Sequence, residues 1–595
     1  MNLRSLWTAL PLSSVRVTDP FWKRWQDVVH SHTLEIQYEQ LEQTGRLENF
    51  RRAIRGEEGT FEGFRYNDSD VYKWLEAACY CAQLFPSDSA LRARIVSVVE
   101  ILEQAQMADG YIQTYYQLNC IHLRWRNTNW GHEMYCGGHM LEAAVAYEDA
   151  LGDGRMLAIA TKYVDHVMSV FGPNLKNGFD GHEEFELALL KLAHIAPERA
   201  QEYRDYARWM VEIRGTRPTH MEAERHDDEA AALATDAFWR LVFEGENYTG
   251  HYAQDHLPLR EHDRVVGHAV RAMYLYTAAT EAFADRGDTA AEAAIERVWS
   301  NLTEKQMYIT GGIGQTGDNE GFSNDYDLPN RTAYAETCAA CGLVFWARAL
   351  VNCTGEARFA QVMERALYNG ALAGINESGD RFFYDNPLES RGEHERQGWF
   401  TCACCPPNIA RLIASVGSYA ASATDSGYAI HLPMSLELPR GTVEHVPGQI
   451  LLKNTSAEPL TFELRRGARY ESHTVPAGET LALEDFRTAR WVHSHPLVLE
   501  NSGKVALVRE PFVYCLEEHD LGAPPQQFLV DLEKAVGRDG DALIADGVQE
   551  RSTLDALYGE ATIDRVPVQL RFIPYHQWAN RGKGAMQVWV RELQG

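Results

Sequence analysis

Five side chains able to bind a soft divalent cation stand in two short runs, Glu336-Thr-Cys338 and Cys402-Ala-Cys404-Cys405. Thiolate and carboxylate donors match the four-coordinate shell of zinc, and nothing in either run asks for the redox work of iron. Pro406 and Pro407 bias the chain before them towards extended geometry, and Ile409, Leu412, Ile413 and Val416 then recur at helical spacing. Cys404 and Cys405 therefore precede a helix, where unsatisfied N–H groups and the helix dipole favour thiolate. On a regular helix, residues two apart diverge by about 200°. Glu336 and Cys338 thus reach one ion only from an extended or capping segment, with Thr337 near the cap. Three readings stay open on spacing alone: a substrate-facing zinc, a structural zinc on Cys338, Cys402, Cys404 and Cys405, or no metal. C-x-C-C-P-P is not a standard finger spacing, and a chain this large needs no metal staple to fold.

A second set of groups suits a hydroxyl-rich ligand. Glu320 lies in a glycine-rich loop, Gly311 to Asn330, shortly before Glu336, and is the candidate proton donor; Asp325 and Asp327 are weaker candidates. An exposed loop carboxylate is the plain alternative. His139, His182 and His268 each follow a glycine where a helix is expected to begin, which suits one rim of a helical barrel; capping or packing is the alternative. Tyr384, Asn386, Trp130 and Trp399 offer hydrogen bonds and stacking faces.

The elements that must position these groups are mostly helices. From residue 22 to residue 425 apolar residues recur at three- and four-residue spacing, as in VYKWLEAACYCAQLF from Val71 and HAVRAMYLYTAATEAFAD from His268. Paired helices around a common core predict a toroidal (α/α) barrel, with a bundle or solenoid as the alternative. Residues 426–595 carry short β-rich runs between Pro, Gly, Asn and Asp turns, which predicts an antiparallel β-sandwich, subdivided near Asp520. Residues 1–21 are expected to add an edge strand through Val15 and Val17.

The 595 residues are 45% hydrophobic and 24% charged, a globular balance. A net charge of −28 argues against a general nucleic-acid or anionic-membrane surface and says nothing against a neutral sugar. No apolar run approaches the roughly 20 residues of a membrane span. The opening segment lacks the apolar core of a signal peptide. With an odd count of 11 cysteines, most in apolar helical surroundings, this predicts a cytoplasmic protein.

These motifs together resemble glycoside hydrolase family 127 along essentially the whole chain. The likeness rests on DPFWKRW at Asp19, YNDSDVYKWLEA at Tyr66, GHEMYCGGHMLEAAVA at Gly131, TGGIGQ at Thr310 and GDNEGF at Gly317. It continues in AYAETCAA at Ala333, CACCPPN at Cys402 and FIPYHQWANRG at Phe572. The paired ETC and CACCPPN segments are the specific part.

The resemblance implies an (α/α)6 barrel followed by β-sandwich domains, and exo-acting β-L-arabinofuranosidase activity. It implies zinc on Glu336, Cys338, Cys404 and Cys405, with Cys404 as nucleophile and Glu320 as acid/base. It places His139, His182, His268 and Tyr384 on the substrate, leaves Cys402 beside the site rather than on the metal, and suggests a homodimer. The implied chemistry is double displacement with retention. Alternatives are a hydrolase for another non-reducing-end L-furanoside, a sugar epimerase or lyase, and a sugar-binding module with structural zinc.

Overall fold

The computed structural model describes residues 1–232, 248–554, 557–560 and 562–593. Among the described residues, twelve of the helices build the barrel of the catalytic half. In chain order they are α1 Leu34–Gln43, α2 Asp68–Leu84, α3 Ser89–Ala105, α4 Glu133–Ala150, α5 Arg155–Val170 and α6 Phe185–Ile195. There follow α7 Ala200–Ile213, α8 Ala269–Phe283, α9 Thr289–Asn301, α10 Thr337–Thr354, α11 Ala357–Arg365 and α12 Cys405–Ala414.

The even-numbered helices close a ring. Each packs on the next even helix, and α12 packs back on α2. These helices are buried almost all round, as their apolar and small residues allow, whereas α3, α5, α7, α9 and α11 bury one face and lie outside. The result is an (α/α)6 barrel. Its helix α10 is apolar and long enough to cross a membrane, but 89% of it is buried inside the ring, which accounts for its composition.

Close packing of the ring depends on small residues. A Cβ on Gly138 of α4 would stand 2.6 Å from Glu184 Cγ and 2.9 Å from the Phe185 nitrogen, so α4 and the start of α6 meet backbone to backbone.

Beyond the barrel two five-stranded sheets face each other. One joins Thr8–Ala9, Ala421–Thr424, Gly427–Ile430, Leu460–Arg466 and Arg469–Val475. The other joins Thr480–Glu484, Gln449–Asn454, Gly441–Val446, Leu436–Leu438 and Arg16–Val17. The amino-terminal segment thus supplies two strands to two sheets, where a single edge strand was expected. A third sheet of ten strands begins its main run at Arg490 and borrows Glu389–Arg391 from the barrel half.

Two expectations need correction. The break between β units falls between Glu484 and Arg490; Asp520 lies in a short helix, Glu518–Leu521, inside the third sheet's run. Nor is the β region wholly antiparallel. Gly427–Ile430 pairs in parallel with Leu460–Arg466, and Phe528–Val530 with Val590–Glu592. In each parallel pair the intervening chain is long enough to cross over, which a reading of local turns does not reveal.

Candidate active site

A cavity of about 320 Å³ opens at the end of the ring where all six inner helices begin. Tyr66 precedes α2, His132 precedes α4, and His182 lies just before α6. His268 precedes α8, while Glu336 and Cys404 precede α10 and α12. Six helix N-termini, each with free N–H groups and a partial positive charge, therefore surround one space, which favours anionic side chains there.

The sulfur cluster sits on two of these termini. Glu336 caps α10 in extended geometry (φ −56°, ψ 138°), so its side chain escapes the divergence that a helix would impose, and Cys338 follows in the first turn. The segment is clamped from Tyr384 to Asn386: Thr337 N–H donates to the Tyr384 carbonyl at 2.9 Å, and Asn386 Nδ2 to the Ala335 carbonyl at 2.9 Å. Ala335 takes φ 39°, a strained conformation for a residue with a Cβ, and this turn aims Glu336 inward.

Cys404 and Cys405 open α12. A buried network locks that helix in the ring: Arg411 of α12 donates to Glu76 of α2 at 2.8 Å and also to Glu142 of α4. Removing one partner of such a network would strand a buried charge, so the position of α12 is strongly fixed.

The four donor atoms of Glu336, Cys338, Cys404 and Cys405 lie within 4.8 Å of one another. Cys338 Sγ is 3.4 Å from Cys405 Sγ, and Cys404 Sγ is 3.8 Å from Cys405 Sγ. Glu336 Oε1 is 3.6 Å from Cys404 Sγ and 3.5 Å from Cys405 Sγ. A tetrahedron with zinc–sulfur bonds of about 2.3 Å has edges of roughly 3.7 Å.

The spacing therefore fits zinc, and the chemistry agrees. Glu336 Oε2 is buried with no hydrogen-bond partner. Burial, then the nearby Cys404 charge, pushes the Glu336 carboxyl well up; burial and the Cys338 and Cys404 sulfurs push the Cys405 thiol up. Such a group of acids ionises together only around a cation. Cys402 is outside the group of four: its Sγ is 3.9 Å from Cys404 Sγ and 3.5 Å from Tyr384 Oη. Tyr384 Oη also touches Cys404 Sγ at 3.2 Å.

Glu320 also lines the cavity. Tyr334 Oη donates to its Oε1 at 2.8 Å, and Tyr252 Oη approaches Oε2 at 3.4 Å. His268 caps α8 by accepting backbone N–H bonds at Nδ1 from Val270 (3.2 Å) and Arg271 (3.3 Å). Its proton therefore sits on Nε2, 3.3 Å from Glu320 Oε2. Burial pushes the Glu320 carboxyl up, but His268, Tyr334 and the Arg271 charge outweigh burial and hold it below its ordinary value. Asp325, the weaker candidate, is turned away onto Arg264 and Asn301 at 2.9 Å each. Asp327 accepts from Ser323 Oγ at 2.8 Å and does not line the cavity.

The histidines divide. His268 and His182 line the cavity, with His182 packed on Tyr135 at 4.2 Å between ring centres. His139 does not. Helix α4 begins at Glu133, six residues earlier than the glycine pair suggests, so His139 falls inside the helix and is fully buried. Its Nδ1 lies 3.0 Å from Glu184 Oε1 and 3.6 Å from Glu142 Oε2, beneath the cavity wall. Those three side chains have metal-like spacing, but Lys191 and Arg411 already bond Glu142.

In the GHEMYCGGH segment the histidine that faces the cavity is instead His132, at φ 57° before α4, with its ring 5.1 Å from Tyr66 and 5.8 Å from His182. Gly131 before it was the available signal: the same glycine–histidine pairing occurs twice in GHEMYCGGH. Arg271 and Tyr135, also on the wall, carry no local sequence signature.

A helical toroid with polar, aromatic and titratable groups converging on a cavity at one end has the form of an enzyme active site. The chain belongs to glycoside hydrolase family 127: the model described as "Beta-L-arabinofuranosidase, GH127 catalytic domain" matches residues 14–418, and the family's C-terminal domain matches 489–591. It is 31% identical to the non-reducing end beta-L-arabinofuranosidase of Bifidobacterium longum subsp. longum, over 97% of this chain and all of that one. Among solved structures it resembles Ara127N-Se, a GH127 beta-L-arabinofuranosidase from Geobacillus stearothermophilus T6, at 37% identity and a TM-score of 0.89, covering 97% of this chain and 100% of that one. A second GH127 beta-arabinofuranosidase aligns at 31% identity and a TM-score of 0.86, over 99% and 98% of the two chains.

Proposed function

We propose that this chain releases L-arabinose from the non-reducing end of β-L-arabinofuranosides with retention of configuration. The observation that carries the reading is that a zinc-fitting thiolate cluster and a hydrogen-bonded carboxylate, Glu320, line the same cavity in a chain of this family. Beneath that cavity lies the buried Glu76–Arg411–Glu142 network, so the space has no through passage for a polymer there. A terminal sugar fits such a dead end, and an internal one does not.

In the first displacement Cys404 Sγ attacks the anomeric carbon as its bond to the leaving oxygen breaks, and Glu320 gives that oxygen its proton. In the second, Glu320 takes a proton from water, the water oxygen bonds the anomeric carbon, and the carbon–sulfur bond breaks. Zinc on Glu336, Cys338, Cys404 and Cys405 would keep the Cys404 sulfur deprotonated and oriented at neutral pH. His268 fixes Glu320 through Nε2, and His132 and His182 are placed to meet ring hydroxyls.

The sugar is tested with aryl glycosides. Turnover of the β-L-arabinofuranoside, with little on the α-L-arabinofuranoside or β-D-galactofuranoside and free L-arabinose as product, is the expected result. Preference for another furanoside would reassign the substrate; an isomerised or unsaturated product would reassign the reaction to an epimerase or lyase.

Compartment and assembly belong to the same reading. All 11 cysteines are free, and nine are buried, which suits a reducing cytoplasm; recovery mainly outside the cell would overturn it. The homodimer implied by the resemblance is checked by light scattering.

A further inference from the structure

Lys73 stands behind Tyr135, on the cavity wall that also carries Cys338 and Cys404, with no acidic partner among the described residues. It lies on α2, is 1% exposed, and its Nζ donates to Tyr135 Oη at 2.7 Å and Ser69 Oγ at 3.2 Å. Among the described residues no carboxylate comes within 4.0 Å of that nitrogen. Two other deeply buried basic side chains of the ring are paired: Arg46 with Asp70 at 2.7 Å, and Arg411 with Glu76 and Glu142. Among the described residues Arg271 also has no carboxylate partner, but it belongs to the Glu320 side. It stacks on Tyr252, 4.3 Å from the ring centre, and Tyr252 approaches Glu320.

A buried ammonium held by two hydroxyls and an aromatic face, the Tyr135 ring centre lying 5.0 Å from Lys73 Nζ, is still costly unless a negative charge lies nearby. Three thiolates and a carboxylate around a divalent cation provide one, because that set carries two more negative charges than the cation neutralises. Tyr135, which Lys73 holds, lines the cavity together with Cys338 and Cys404.

We propose that Lys73 is a positioning residue for the metal centre: its fixed charge offsets the surplus anion of the zinc-loaded Glu336–Cys338–Cys404–Cys405 site and so sets how tightly zinc is held. The inference rests on the zinc reading of those four donors. Groups one shell beyond a metal's ligands typically change its affinity by about 10–100-fold, and a change in net charge belongs at the upper part of that range.

The test is zinc affinity, read by competition against a chromophoric chelator under reducing conditions, with circular dichroism as the check on folding. Lys73→Gln, which keeps length and polarity but removes charge, should weaken zinc binding about 10–100-fold. Lys73→Arg should stay near wild type, and Tyr135→Phe, which removes the hydrogen bond but not the charge, should lose far less than Lys73→Gln. Lys73→Met serves as a second neutral variant if Lys73→Gln does not fold. Wild-type affinity in a folded neutral variant would overturn the proposal, and so would equal losses in Tyr135→Phe and Lys73→Gln. Wild-type protein that binds no zinc would instead sink the metal reading itself, so the two failures are distinguishable.

Discussion

Glu320 must serve two opposite purposes, and its surroundings favour one of them. Three donors, Tyr334, Tyr252 and His268, converge on its oxygens and hold the carboxylate form, which is the form that activates water in the second displacement. The first displacement needs the acid. Because the carboxyl is held below its ordinary value, the acid form becomes scarcer as pH rises, so kcat/KM should fall on the alkaline side. Glu320→Ala should lose that limb on an activated aryl glycoside. It should also lose about 10²–10⁴-fold on substrates with poor leaving groups, with azide restoring part of the activated turnover. Equal losses on both substrate classes and no effect of azide would move the role to another group. At this scale the sequence was informative wherever residue type and neighbours limit the chemistry, as in CACCPP and GDNEGF. It misled at His139, because two glycine–histidine pairs in GHEMYCGGH look alike and only the register of α4 separates the wall residue His132 from the buried one.

The loop carrying Glu320 is set against the start of α8 by backbone contact. Phe322 N–H donates to the Gly267 carbonyl at 2.9 Å and Ala269 N–H to the Glu320 carbonyl at 3.1 Å. A Cβ on Gly321 would lie 1.8 Å from the Gly267 oxygen, so any side chain there must push the two strands of loop apart. Gly321→Ala should therefore cost roughly 10²-fold or more in kcat, by misplacing Glu320 against His268, while zinc content and far-UV circular dichroism stay near wild type. Near-normal kcat in Gly321→Ala would show that this pairing does not position the acid/base. Helix starts at Glu336-Thr337 and Cys404-Cys405 were legible because caps and prolines have local signatures. Closure of the ring was not. It depends on contacts such as Arg411 with Glu76, 335 positions apart, and no local period encodes a partner at that distance.

Across the whole molecule, six inner helices point their N-termini at one cavity, and the Glu336–Cys338–Cys404–Cys405 cluster sits there. The amino-terminal strands Thr8–Ala9 and Arg16–Val17 tie this barrel to both five-stranded sheets, so the barrel and that two-sheet sandwich share one apolar core. Zinc bridging the starts of α10 and α12 should strengthen that assembly as well as serve the chemistry. Removing the metal with a chelator should abolish turnover and lower the unfolding temperature by roughly 3–10 °C, and restored zinc should reverse both. Full activity with unchanged unfolding in thoroughly metal-free protein would contradict an essential zinc. The most direct test asks where the sugar becomes attached. An L-arabinofuranose analogue carrying an electrophile at the anomeric carbon, followed by peptide mass spectrometry, should label Cys404, and free L-arabinose should slow the labelling. Reproducible attachment to Glu336 with Cys404 unmodified would contradict the cysteine nucleophile and leave the sulfur cluster as a metal holder beside a carboxylate nucleophile.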